Sequence, residues 1–145
     1  MKSRGFERII GCEEGVIPVR ATAKSAGYDF STIEQVEINP SETKLVKTGI
    51  KAYMMSDEVL KIYVRSSLGF KKNLRLANSV GIIDADYYSN DDNDGHIMVA
   101  LHNFGSEKQI LEKNERVAQG IFQKYLVVDN DESSAERSGG FGSTK

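Results

Sequence analysis

Short runs of β-forming residues, and no long helical stripe, organise this chain. Val36-Glu37-Ile38, Lys44-Leu45-Val46 and Leu60-Lys61-Ile62-Tyr63-Val64 set apolar side chains beside polar ones. His96-Ile97-Met98-Val99-Ala100-Leu101 and Gly120-Ile121-Phe122-Gln123-Lys124-Tyr125-Leu126-Val127-Val128 are longer and mix alternation with continuous apolar stretches. Segments of this length and kind predict strands. Thirteen glycines divide them. The one helical piece predicted is short, around Lys72 to Ala77. The expected class is therefore all-β, a jelly-roll-like barrel or sandwich closed on itself to hide its edges, with at most one short helix. No internal repeat is visible.

At 145 residues the chain has the size of one domain, enough to bury about two-thirds of its unfolded surface without a disulfide or metal staple. The single Cys12 cannot form an intrachain bridge and no charged-then-apolar leader precedes it, which fits a reducing cytoplasm. No apolar run approaches the roughly 20 residues that span a bilayer. Nineteen basic against twenty-one acidic residues give a formal charge of −2, which argues against broad nucleic-acid binding, since duplex affinity rests on neutralising phosphates. A small phosphorylated ligand needs only a local cluster and remains allowed.

Such a cluster stands at the C-terminus, where Arg137-Ser138-Gly139-Gly140-Phe141-Gly142-Ser143-Thr144-Lys145 sets one aromatic among glycines, hydroxyls and cations. Glycines let backbone N–H groups approach phosphate oxygens, Ser143 and Thr144 can donate hydroxyl hydrogen bonds, Arg137 can pair with phosphate, and Phe141 offers a stacking face. A frayed terminus has a similar composition. Before it, Asp129 to Glu136 is polar and without aromatics and reads as a linker. Those eight residues, fully extended, reach about 26 Å. The expected division is a barrel over 1–128 and a linker with a Gly-rich arm over 129–145. Asn90 to Gly95 has the look of half a calcium loop, but Leu101 stands where a bidentate Glu is needed. His96 and His102 lack a third ligand nearby and read as strand residues.

Five clusters follow in order: Ala26-Gly27-Tyr28-Asp29-Phe30, Arg65-Ser66-Ser67-Leu68-Gly69, Asn78 with Gly81-Ile82-Ile83-Asp84-Ala85-Asp86-Tyr87, Glu115-Arg116-Val117-Ala118-Gln119, and the tail. Together they resemble the five motifs of the trimeric dUTPases, over nearly the whole chain from about Ile17 to Lys145. The resemblance implies hydrolysis of dUTP to dUMP and pyrophosphate, by water attacking the α-phosphorus. It makes Asp84 the general base and Gln119 an amide that contacts the α-phosphate region and the water. Arg65, Ser66 and Ser67 become a phosphate cradle. Asn78, Gly81 and Ile83 belong to a hairpin pocket for uracil, whose backbone groups and side-chain amide read the base edge. Tyr87 becomes a plate against deoxyribose that excludes UTP. From the tail, Arg137, Phe141, Gly142, Ser143 and Thr144 close over the nucleotide. Asp29 supports the metal and phosphate end through water or an arginine. Asp86 competes with Asp84 for the role of base and suits a turn-stabilising role; Arg116 suits a salt-bridged strand position. Taken alone, each of these residues also has an ordinary structural reading.

The resemblance further implies Mg2+ held chiefly by the phosphates and waters. It implies a homotrimer in which motifs one, two and four come from one chain, the Asn78–Tyr87 hairpin from a second and the tail from a third. One departure stands out: Tyr88-Ser89-Asn90-Asp91-Asp92-Asn93-Asp94 enlarges the hairpin before Gly95, resembling dUTPases of Gram-positive bacteria and their phages. Three aspartates cannot favour a triphosphate at close range, so this loop is expected to point into solvent and to be peripheral to catalysis, or to meet a regulatory protein partner. A dCTP deaminase of the same fold is the alternative activity.

Overall fold

The computed structural model describes residues 2–142. Among the described residues, twelve strands form the body, all paired antiparallel. They are β1 (Gly5–Arg8), β2 (Val19–Arg20), β3 (Tyr28–Ser31), β4 (Val36–Ile38), β5 (Thr43–Lys47), β6 (Ile50–Tyr53), β7 (Glu58–Val64), β8 (Leu74–Leu76), β9 (Gly81–Asp84), β10 (Met98–Asn103), β11 (Gln109–Leu111) and β12 (Arg116–Lys124). The largest sheet runs β2-β3-β12-β7-β9; a second runs β5-β10-β8, and the pairs β1-β6 and β11-β4 complete the jelly roll. No helix among the described residues is long and apolar enough to cross a membrane.

Alternation accounts for the packing. In β10 the side chains of Val99, Leu101 and Asn103 are buried while Met98, Ala100 and His102 between them are less so, and in β4 Val36 and Ile38 face in while Glu37 faces out. The core gathers Phe30, Ile38, Val46, Ile50, Leu60, Leu74, Ile97, Leu101, Leu111 and Val117 from every sheet. An aromatic cluster closes one side, with Phe6 5.4 Å from Tyr28, Phe30 and Phe122 by ring centroids.

The helix lies elsewhere than expected. Ser66–Lys71 forms the short α1, with only Leu68 buried, whereas the Lys72–Ala77 stretch holds β8. Asn73 at φ 54° stops the helix. Leu74 and Leu76 then point inward and pair with Asn103 and Leu101 of β10, so tertiary pairing overrides local propensity. The long C-terminal strand is also shorter than expected. β12 ends at Lys124, where Tyr125 turns to donate its N–H to Asp57 O at 3.1 Å, and Leu126, Val127 and Val128 are exposed.

The enlarged hairpin is a folded element and not a free excursion. Asp84 leads into a 3-10 turn at Ala85–Tyr87. Lys51 of β6, only 7% exposed, donates from Nζ to Asp94 at 2.9 and 3.0 Å and to Ser89 Oγ at 3.0 Å. Asp94 Oδ2 also accepts the Ile10 N–H at 2.9 Å. Burial opposes ionisation of Asp94, but Ile10 and the Lys51 ammonium hold its carboxyl below the usual carboxylate range. Gly95 closes the loop at φ 84°, where a Cβ would stand 2.8 Å from Ser89 N and 3.0 Å from Tyr87 O; only glycine fits.

Candidate active site

The candidate residues fall into two hollows of one chain. The first, about 290 Å³, is lined by Asn78, Gly81, Ile83, Asp84 and Tyr87 of the hairpin and by Arg137, Gly140, Phe141 and Gly142 of the arm. The second, about 350 Å³, is lined by Asp29, Arg65, Ser66, Ser67 and Gln119, with Ala21, Ser25 and Gly27. Ser143 and Thr144 lie outside the described residues.

In the first hollow, Asp84 ends β9 at the edge of the large sheet, its side chain about half exposed. Arg137 reaches back from the arm with its own side chain 8% exposed. It donates from Nη2 to Asp84 Oδ2 and from Nε to Asp86 Oδ1, each at 2.8 Å. Its guanidinium carbon lies 5.6 Å from the centre of the Tyr87 ring. Arg137, expected on a phosphate, thus bridges the two carboxylates of motif three. Asp86, expected to brace its turn through its own backbone, instead holds the arm. Tyr87 is buried; its hydroxyl donates to His96 O at 2.7 Å and accepts from Asn93 Nδ2 at 2.9 Å. Burial pushes that hydroxyl's pKa up against the opposing Asn93 and Arg137, so it stays a proton donor. Asn78 is exposed at the mouth, where its carbonyl accepts the Val80 N–H at 2.7 Å.

The second hollow gathers cations and hydroxyls around one carboxylate. Asp29 in β3 sits beside Arg65 Nε at 3.8 Å and Arg116 Nη1 at 3.4 Å, its own side chain 13% exposed. Gln119 of β12 pairs with Asp29 across one ladder and with Tyr63 across the other. A Cβ at Gly27 would run into the Gln119 carboxamide, which explains the glycine of motif one. Ser66 and Ser67 open α1 directly after Arg65. The arrangement offers an arginine, two hydroxyls and an amide to phosphate oxygens, with Asp29 holding the arginines in place. Among the described residues, no three His, Cys, Asp or Glu side chains gather as a metal cage. This donor set fits a hard, hydrated cation whose oxygen ligands come mainly from phosphates.

The dUTPase family pattern matches residues 13–145. The chain belongs to the dUTPase family. It is 52% identical to the deoxyuridine 5'-triphosphate nucleotidohydrolase of Lactococcus lactis, over 99% of each chain. Identity to the enzyme of that name from Nautilia profundicola is 36%, over 91% of this chain and 92% of the other. The crystal structure of the Streptococcus mutans dUTPase superposes with a TM-score of 0.83 at 46% identity, covering 87% of this chain and 99% of that one. These likenesses set the chain among the Gram-positive bacterial members. A Staphylococcus phage 80alpha dUTPase reaches a TM-score of 0.77 at 18% identity and shares the fold. Membership in the dUTPase family leaves the deaminase reading without support.

Sequence reasoning missed two contributors. Asp92 and Asn93 of the enlarged hairpin meet the arm, where Gly140 N–H donates to Asp92 Oδ2 at 2.8 Å and Asp91 N–H donates to Ser138 O at 3.0 Å. The loop expected to point into solvent instead packs against the arm whose Arg137, Gly140, Phe141 and Gly142 line the first hollow. Its Asn-Asp-rich turn composition was the available signal, because the carboxylates that repel a triphosphate are equally able to accept backbone N–H groups.

Proposed function

We propose that three copies of this chain share each active site, the phosphate hollow of one facing the hairpin of a second, with an arm closing over both. The activity follows from family membership: dUTP is hydrolysed to dUMP and pyrophosphate. One observation carries the shared site. Asp84 pairs with Val59 at the start of β7, whereas Arg65 follows Val64 at its end, so about 20 Å along the strand separates them. Gln119 and Asp84 lie on opposite sides of β7, opposite Tyr63 and Val59. That is about 13 Å along the strand and about 10 Å across it. A base and an amide so separated cannot meet at one α-phosphorus within one chain. The exposed Leu126, Val127 and Val128 that precede the linker add apolar surface suited to a neighbouring copy, and the linker's reach lets the arm serve another chain's site as well as its own.

In the assembled site, Arg65, Ser66, Ser67 and Gln119 would hold the triphosphate and place its α-phosphorus before Asp84. Asp84 would accept the attacking water's proton as the new P–O bond forms and the bond to the β-phosphate's bridging oxygen breaks, releasing pyrophosphate. Uracil would lie along Asn78, Gly81 and Ile83, and deoxyribose against Tyr87. Arg137 would exchange its carboxylate partners for phosphate, and Phe141, Gly142, Ser143 and Thr144 would close the arm over the nucleotide. A divalent cation, which we take to be Mg2+, would neutralise phosphate charge, and Asp29, already committed to two arginines, would reach it only through water. A cytoplasmic setting suits the free thiol of Cys12.

Mixing separately inactive chains tests the shared site. An Asp84→Asn chain keeps its hollow and a Gln119→Ala chain keeps its hairpin. Random subunit exchange should return about a quarter of the wild-type rate of pyrophosphate release from dUTP. No recovery, with mixed trimers verified by native mass spectrometry, would place each site within one chain.

A further inference from the structure

One side chain of the enlarged hairpin touches both the sugar plate and the arm. Asn93 Nδ2 donates to the Tyr87 hydroxyl at 2.9 Å, while its Oδ1 accepts from Asn90 Nδ2 at 2.8 Å and from Gly95 N–H at 3.1 Å. Three bonds leave the carboxamide one orientation. The arm lies directly on it: a Cβ at Gly140 would stand 3.0 Å from Asn93 Cγ, Nδ2 and Oδ1. Backbone bonds on either side complete the contact, Asp91 N–H to Ser138 O and Gly140 N–H to Asp92 Oδ2.

We infer that Asp92 and Asn93 are positioning residues for dUTP hydrolysis, forming a seat that fixes the closed arm and, through Asn93, ties arm closure to the setting of Tyr87. The inference deepens the reading of this site as dUTPase machinery. It holds whether the arm is the chain's own or a neighbour's, because the surfaces in contact are the same. The arm offers few apolar groups to hold it down, so the hydrogen bonds at the seat govern how often it is closed, and the closed fraction scales turnover. Asp92, repulsive to triphosphate at contact, acts here on the Gly140 N–H and leaves the phosphates to the arm's cations. Tyr87, held on one side by His96 O and on the other by Asn93, cannot withdraw from an added 2′-hydroxyl. Freeing one side should loosen the choice between dUTP and UTP.

The test uses the full-length chain with Asp92→Ala, Asn93→Ala, Gly140→Ala and the Asn93→Ala/Gly140→Ala pair, following pyrophosphate release from dUTP and UTP. Loss of one charge-assisted hydrogen bond in Asp92→Ala should lower kcat/KM for dUTP about tenfold with the dUTP to UTP ratio unchanged. Asn93→Ala should lower the ratio itself by about tenfold. Gly140→Ala should be as harmful as Asp92→Ala or more so, yet add nothing in the Asn93→Ala background, because removing the carboxamide makes room for the new methyl. Additive losses in the pair, or an unchanged ratio in Asn93→Ala, would overturn the inference. Trypsin cleavage after Arg137, in the presence of a non-hydrolysable imido analogue of dUTP, gives a second readout free of turnover. Cleavage should be about tenfold faster in Asp92→Ala than in wild type, and equal rates would overturn the seat. Absence of dUTP hydrolysis by the wild-type chain would count against the activity alone, since the cleavage rates still report on the arm.

Discussion

Replacing Asp84 by Asn separates proton acceptance from arm docking, because the two functions meet on that one carboxylate. The amide keeps the volume but cannot take a proton, and general-base catalysis contributes about 10² to 10⁴ in rate, or about 3 to 5.5 kcal/mol of barrier. The same substitution weakens the 2.8 Å bond from Arg137 Nη2. Asp84's side chain is 49% exposed, so that pair contributes at most about 1 kcal/mol after solvent screening. Arg137 also keeps its Asp86 partner at 2.8 Å, and the arm should remain docked. The docking component therefore amounts to no more than about fivefold. Turnover at saturating dUTP should fall about a hundredfold or more, while the affinity for an imido analogue of dUTP changes less than about fivefold by calorimetric titration. Asp86→Asn removes the mirror-image contact without touching the base and should lower turnover less than about fivefold. If Asp84→Asn keeps a tenth of the wild-type turnover, or if Asp86→Asn falls as far, the assignment of the base is wrong.

Two further predictions concern the hairpin's supports. Lys51→Met should strand the carboxylate of Asp94 and cost about 3 kcal/mol in urea unfolding at fixed protomer concentration, and adding Asp94→Asn should recover more than half, since no charge is then left buried; a loss below about 1 kcal/mol would show that water reaches the pair. His96 accepts the Gly49 N–H on Nε2 at 2.8 Å, and burial, with help from Lys47, holds its pKa below the free value of 6.5. The unfolded chain therefore takes up this proton first as pH falls. Stability from His96 is complete above about pH 6.5 and lost below it, by up to about 1.4 kcal/mol per pH unit. His96→Gln, whose amide oxygen can accept the same N–H, should flatten the pH 5–6.5 part of the curve; an unchanged slope would assign it to other groups.

Much was legible along the chain. Strand identity at Val36–Ile38, within Thr43–Lys47 and in β7 and β10 follows from alternation, because the two-residue period decides which face each side chain presents. The five clusters were legible too, since each is a local run of residues. The glycines of motif one and of the arm were visible as glycines, but what they admit, the Gln119 carboxamide at Gly27 and Asn93 at Gly140, was not. β8 in place of a helix, and the early end of β12 at Lys124, were decided by partners distant in sequence, β10 for the one and the Asp57 carbonyl for the other. The separation of Asp84 from Gln119 by the length and width of β7 depends on register, which a linear order of motifs does not contain. The enlarged hairpin shows the limit most clearly. Its charge was legible, but the buried Lys51 that neutralises Asp94, and the arm N–H that Asp92 accepts, come from 43 and 48 residues away. What a carboxylate does is set by the groups that fold brings to it, and those contacts exist only in the tertiary structure.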